Sequence, residues 1–132
     1  MWKKRKVLLV VLLVLLLESL LCSGYAETDS ITALPTNRLS ASISLSGNNL
    51  TGKGKATFAS GYSANLSIYV QHKNANGSWS TVASASEPNA IAIYITHTVS
   101  NGEYRIKVEA AIYDSGHMYI ETLTKYSSVI SI

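Results

Sequence analysis

Past residue 38 the chain alternates apolar and polar positions, breaks at a turn, and starts alternating again. The longest run is Gly102–Tyr113, where Tyr104, Ile106, Val108, Ala110 and Ile112 fall on every second position. Glu103, Arg105, Lys107 and Glu109 fill the gaps. Side chains alternate between the faces of a strand, so this run predicts a strand with one buried and one wet face. Leu39–Ser46 reads the same way, with Leu39, Ala41, Ile43 and Leu45 inward and serines outward. Leu50–Phe58 follows, with Gly52 and Gly54 on the inward face; they predict a thin spot beneath a large neighbouring side chain.

Leu66, Ile68, Val70 and His72 form the inward set of the next strand, and Asn65, Ser67, Tyr69, Gln71 and Lys73 the outward set. Asn74-Ala75-Asn76-Gly77-Ser78 is a hairpin signal, because Asn-Gly accepts the positive φ that tight hairpins need. Trp79–Ser86 returns, Glu87-Pro88-Asn89 ends it, and Ile91, Ile93 and Ile95 mark another strand. Asp114-Ser115-Gly116 reads as a turn capped by Asp114, His117–Lys125 as the returning strand, and Val129–Ile132 as a short last segment. A three-residue turn sets Tyr113 opposite His117, and Ile112, Ala110 and Val108 opposite Met118, Ile120 and Thr122, all inward. Glu109 and Glu121 then oppose each other on the outer face, a clash that a bulge would relieve. About seven strands with turn signals between them and no helical period predict an antiparallel β-sandwich, one domain over 38–132.

The N-terminus is different. Lys3, Lys4, Arg5 and Lys6 precede an unbroken Val/Leu run of 11 residues, Val7–Leu17, and Gly24 and Ala26 suit a signal peptidase. This predicts a helical signal peptide over 1–26, cleaved after Ala26, and a flexible leader over 27–37. A retained anchor would need about 20 apolar residues. Lipidation of Cys22 would need a small residue at Leu21. Secretion is the expectation, with cell-surface association open and no stable membrane insertion after cleavage.

Cleavage changes the charge. Four of the 11 basic and one of the 8 acidic residues leave with residues 1–26, so 27–132 carries seven of each and no net charge. Nothing favours nucleic acid or an anionic surface. Cys22, the single cysteine, leaves too, and a disulfide-free domain must hold by its core alone.

Chemistry-bearing residues are sparse. His72, His97 and His117 share no ligand spacing, so no metal site and no cofactor are expected. Past residue 26 the only aspartates are Asp29 and Asp114, and no nucleophile elbow occurs. A Glu109–Glu121 pair would lie on an open face that excludes no water. No catalytic residue is named, and a small hydrolase is the weakest reading. Asn49, Asn65 and Asn76 each begin an Asn-x-Ser/Thr acceptor pattern, which matters only in a glycosylating host. The aromatic residues offer more. Tyr69, Tyr113 and Tyr119 are all placed outward, on one face if their strands share a sheet, with Trp79 just past the hairpin. They form the candidate ligand face for a protein or glycan partner, or else ordinary cross-strand pairs.

Val99-Ser-Asn-Gly-Glu-Tyr-Arg-Ile-Lys-Val-Glu-Ala110 resembles the sixth-strand region of fibronectin type III and immunoglobulin-like modules. The resemblance implies that Tyr104 is a structural tyrosine corner whose hydroxyl ties back to the corner backbone. Phe58 stands where such modules place tryptophan, and the proline-rich first loop is missing. The layout of Lys-rich signal, serine-rich β domain and Asn76-Gly-Ser-Trp-Ser80 hairpin also resembles a group of small exported proteins of Gram-positive bacteria, which carry a domain of unknown function. Together these readings predict a secreted, non-enzymatic binding module. The alternative is an assembly subunit pairing through edge strands, with 39–46 and Val129–Ile132 as the candidate edges.

Overall fold

The computed structural model describes residues 38–132, which belong to one compact unit, Thr36–Ile132. The expected signal peptide, leader and Cys22 lie outside the described residues. Eight strands follow one another: β1 (Arg38–Ser46), β2 (Asn49–Thr57), β3 (Ser63–Lys73), β4 (Trp79–Glu87), β5 (Ala92–Thr98), β6 (Glu103–Tyr113), β7 (Tyr119–Tyr126) and β8 (Ile130–Ser131). All pairings are antiparallel. The smaller sheet runs β1-β2-β5, the larger β4-β3-β6-β7, and β8 continues the β7 edge along β6. The eighth strand is the Val129–Ile132 segment, which pairs with β6 through Tyr104↔Ile130 and Glu103↔Ser131.

The core follows from the alternation. Ile106, Val108, Ala110 and Ile112 of β6 and Leu66, Ile68 and Val70 of β3 are fully buried. They face Leu50, Ala56, Ile93 and Ile95 of the smaller sheet. Each large aliphatic side chain buried this way contributes about 1.5–3 kcal/mol. Gly52 and Gly54 are the thin spot the sequence predicts. A Cβ at Gly52 would stand 2.5 Å from Ile106 Cδ1, and one at Gly54 2.8 Å from Val108 Cγ1. Without side chains on β2 there, β6 packs close.

Two sequence expectations about the strands are corrected. Tyr113 pairs with Tyr119 rather than His117, because Asp114–Met118 forms a five-residue loop with His117 at φ 59. Asp114 does cap it, its Oδ1 accepting from the Gly116 and Met118 amides at 2.9 and 3.0 Å. A bulge then leaves Ile120 unpaired and flips the parity of β7, so Ile112 opposes Glu121 and Ala110 opposes Leu123. Leu123 packs on the core, while Met118 and Ile120 are exposed. Glu109 therefore faces Thr124, and Glu109 and Glu121 are not a pair. Second, Ile91 precedes β5 and is 72 % exposed, its carbonyl accepting from the Ala56 amide. The Asn74–Ser78 stretch forms the hairpin loop that the sequence predicts, with the Asn74 amide donating to the Ser78 carbonyl and Gly77 at positive φ.

Tyr104 begins β6 with its ring buried against His72, centroids 4.9 Å apart. Its hydroxyl makes no hydrogen bond to the corner backbone among the described residues. The corner is held by Gly102, whose N–H and C=O pair with Ile132, and by the His72 ring lying over Gly102. Ser127 bridges the break between β7 and β8: its hydroxyl accepts from the Ile106 amide and its own amide donates to the Ile106 carbonyl.

Candidate functional site

The outer face of the larger sheet is built on the polar positions of β6. Register places Arg105 beside Gln71 of β3, Lys107 between Tyr69 of β3 and Tyr126 of β7, and Tyr113 between Ser63 and Tyr119. Trp79 opposes Lys73 at the start of β4. All four residues of the candidate ligand face thus lie on this sheet. They fall into two groups, since Ser63, beside Tyr113, and Tyr69 are six residues apart on β3, about 20 Å of strand.

The first group is a cation–π row. The Arg105 guanidinium lies between Trp79 and Tyr126, 4.3 and 4.2 Å from their ring centroids. Its Nε donates to Gln71 Oε1 at 2.8 Å, and Gln71 is only 8 % exposed beneath this cover. Next to it Lys107 Nζ sits 5.5 Å from the Tyr69 ring centroid and 2.9 Å from Glu109 Oε1. The Glu109 hydrogen bond raises the Lys107 pKa above its ordinary value, partial desolvation opposes the rise, and the Glu109 charge adds to it. Lys73 and Glu103 form a looser, exposed pair at 3.4 Å. Arg105 thus has rings and an amide oxygen as partners, and no carboxylate among the described residues.

The second group lies at the other end of the face. Tyr113 and Tyr119 meet edge to face, centroids 5.9 Å apart and planes at 70°, and the Tyr119 hydroxyl shares a hydrogen bond with Thr122 at 2.8 Å. Tyr113 opens onto a depression of about 300 Å³ with Ser63, Asn65, Asn89 and His117. The β4–β5 loop is drawn onto β3 there, the Ala90 amide donating to the Ala64 carbonyl and the Asn89 amide to Asn65 Oδ1. Asn89 and His117 are the two non-glycine residues with positive φ among those described, at 49° and 59°.

His72, His97 and His117 sit on β3, β5 and the β6–β7 loop. No three His, Cys, Asp or Glu side chains converge among the described residues. Asp114 is committed to loop amides and Glu109 to Lys107. The arrangement offers stacking surfaces and hydrogen-bonding groups. Sequence reasoning missed Arg105 as the partner of Trp79, Tyr126 and Gln71, and Asn65, Asn89 and His117 as companions of Tyr113. Arg105 and Gln71 carried a signal, being outward residues of long alternating strands. No family model matches the chain, and a search of curated proteins finds no relative.

Proposed function

We propose that this chain is a secreted, non-enzymatic binding module, fibronectin type III-like in build, whose ligand meets the outer face of the larger sheet. The strand orders β1-β2-β5 and β4-β3-β6-β7 support the fibronectin-like part of this reading. The basic head, apolar run and small residues before Ala26 support secretion.

One observation carries the binding role. Tyr113, braced by Tyr119, opens onto a depression most of whose side-chain polar groups make no hydrogen bond to another described residue. Rings that only steadied the sheet would need no concavity beside them. The test is an array of glycans, cell-wall fragments and surface proteins probed with the protein and its Tyr113→Ala/Tyr119→Ala variant. A ligand that the folded variant no longer holds supports this face. Unchanged affinity in the variant, or no ligand at all, contradicts it.

A second reading, an assembly subunit, is favoured by β1. Its nine pairs with β2 run without a bulge, and its other edge has no partner strand among the described residues. The edge strands β4 and β7 each carry a bulge, which leaves Val82 and Ile120 as exposed extra residues. Bulges protect an edge against pairing, and β1 lacks that protection. Sedimentation at rising concentration tests this: reversible self-association abolished by Ser42→Pro supports it, and a monomer throughout contradicts it.

A further inference from the structure

We propose that the depression lined by Ser63, Asn65, Asn89, Tyr113 and His117 binds the end of a neutral saccharide; this rests on the binding-module reading and names the ligand class of its site. The lining selects that class by what it contains and what it lacks. It holds no lysine, arginine or carboxylate, the side chains that most often pair with a phosphate, a carboxylate or an ammonium group. Asp114, the nearest acid in sequence, does not line it, and its Oδ1 accepts from the Gly116 and Met118 amides.

The hydrogen-bonding groups that are present are unspent. The side chains of Ser63, Asn89 and His117 and the Tyr113 hydroxyl make no hydrogen bond to another described residue. Asn65 uses its Oδ1 on the Asn89 amide, and its NH₂ makes no hydrogen bond to another described residue. Hydroxyls and amides each combine donor and acceptor capacity, and the His117 ring adds two nitrogens. That is the complement of sugar hydroxyls, which also do both, and it is a poor complement to a purely apolar ligand. The Tyr113 ring, braced edge to face by Tyr119, supplies the flat apolar surface that the C–H face of a pyranose covers. A volume of about 300 Å³ suits one or two sugar units.

The site is also pre-shaped. Asn89 and His117 already adopt the left-handed conformation, and two hydrogen bonds tie the β4–β5 loop to β3. Little ordering is left to oppose binding.

The positive φ at these two positions supplies the test. Asn89→Gly and His117→Gly remove a lining side chain yet keep a backbone that glycine adopts without strain. The protein and both variants are titrated with maltotriose and N-acetylated chitotriose and followed through backbone amide shifts. The expected result is millimolar binding, shifts grouped at residues 63–65, 89 and 113–117, and about tenfold weaker binding in each variant, with melting unchanged. Shifts grouped instead at Trp79, Arg105 and Tyr126 overturn this site while leaving the binding module standing. Binding of a protein or an anionic polymer with no response to either trisaccharide overturns the ligand class alone. No ligand in the titrations or on the array overturns both.

Discussion

Ile106 of β6 occupies the space a side chain at Gly52 of β2 would need: its Cδ1 lies 2.5 Å from where that Cβ would be. Two opposing effects act on Gly52→Ala. Alanine in a strand gains about 0.5–1 kcal/mol over glycine through backbone entropy. Overpacking costs about 1–3 kcal/mol, and Ile106, with no exposure, has nowhere to retreat. The clash wins, so Gly52→Ala lowers the melting temperature by several degrees. Adding Ile106→Val, which removes Cδ1, recovers part of the loss. Thermal melts of the two single variants and the double variant check this, and simple additivity contradicts it.

Arg105 should be irreplaceable by lysine. Its Nε satisfies the nearly buried Gln71 oxygen while its plane stacks between Trp79 and Tyr126. Lysine keeps the charge and loses the planar stack and the aligned donor. Leaving Gln71 unpaired costs about 1–3 kcal/mol, and each exposed cation–π contact adds about 0.5–1 kcal/mol. Denaturant unfolding of Arg105→Lys should show a loss close to that of Arg105→Ala.

The Lys107–Glu109 pair predicts an alkaline effect. The folded pKa of Lys107 lies above its ordinary value of 10.5, chiefly because Glu109 hydrogen-bonds the ammonium. Stability from a raised lysine pKa is fully present below the unfolded value and is lost as pH climbs through the folded one. The stability difference between the protein and Lys107→Gln should therefore be constant at neutral pH and shrink above 10.5. A difference that shrinks on acidification through pH 7, or stays constant to the alkaline limit, contradicts the assignment.

His72 covers Gly102 so closely that a Cβ there would collide with its ring. Gly102 also sits at φ 145, where side chains strain the backbone. Gly102→Ala should therefore destabilise more than Gly77→Ala, which has positive φ but open space around it. Paired melts of the two variants decide it.

The strands of the core were readable because period-two alternation encodes burial directly. β6 alternates without a break, and the Gly52/Gly54 pair announced a close approach. The β6–β7 register was not readable, because no residue pattern marks His117 as left-handed or Ile120 as a bulge. One unpaired residue reverses every side chain after it. The same limit applied to the site. Alternation put Tyr69, Tyr113 and Tyr119 outward, and the shared sheet brings them and Trp79 to one face. That Trp79 would meet Arg105, and Tyr113 would meet Asn65 and Asn89, depended on strand order and on the β4–β5 loop, which lie beyond any local pattern.

The most direct test of the binding role is a map of amide shift changes on the outer face of the larger sheet as ligands from the array are added. The account predicts perturbations confined to that face and centred on Tyr113, with the β1-β2-β5 sheet silent. Perturbations centred on β1, or none with any ligand, would contradict it.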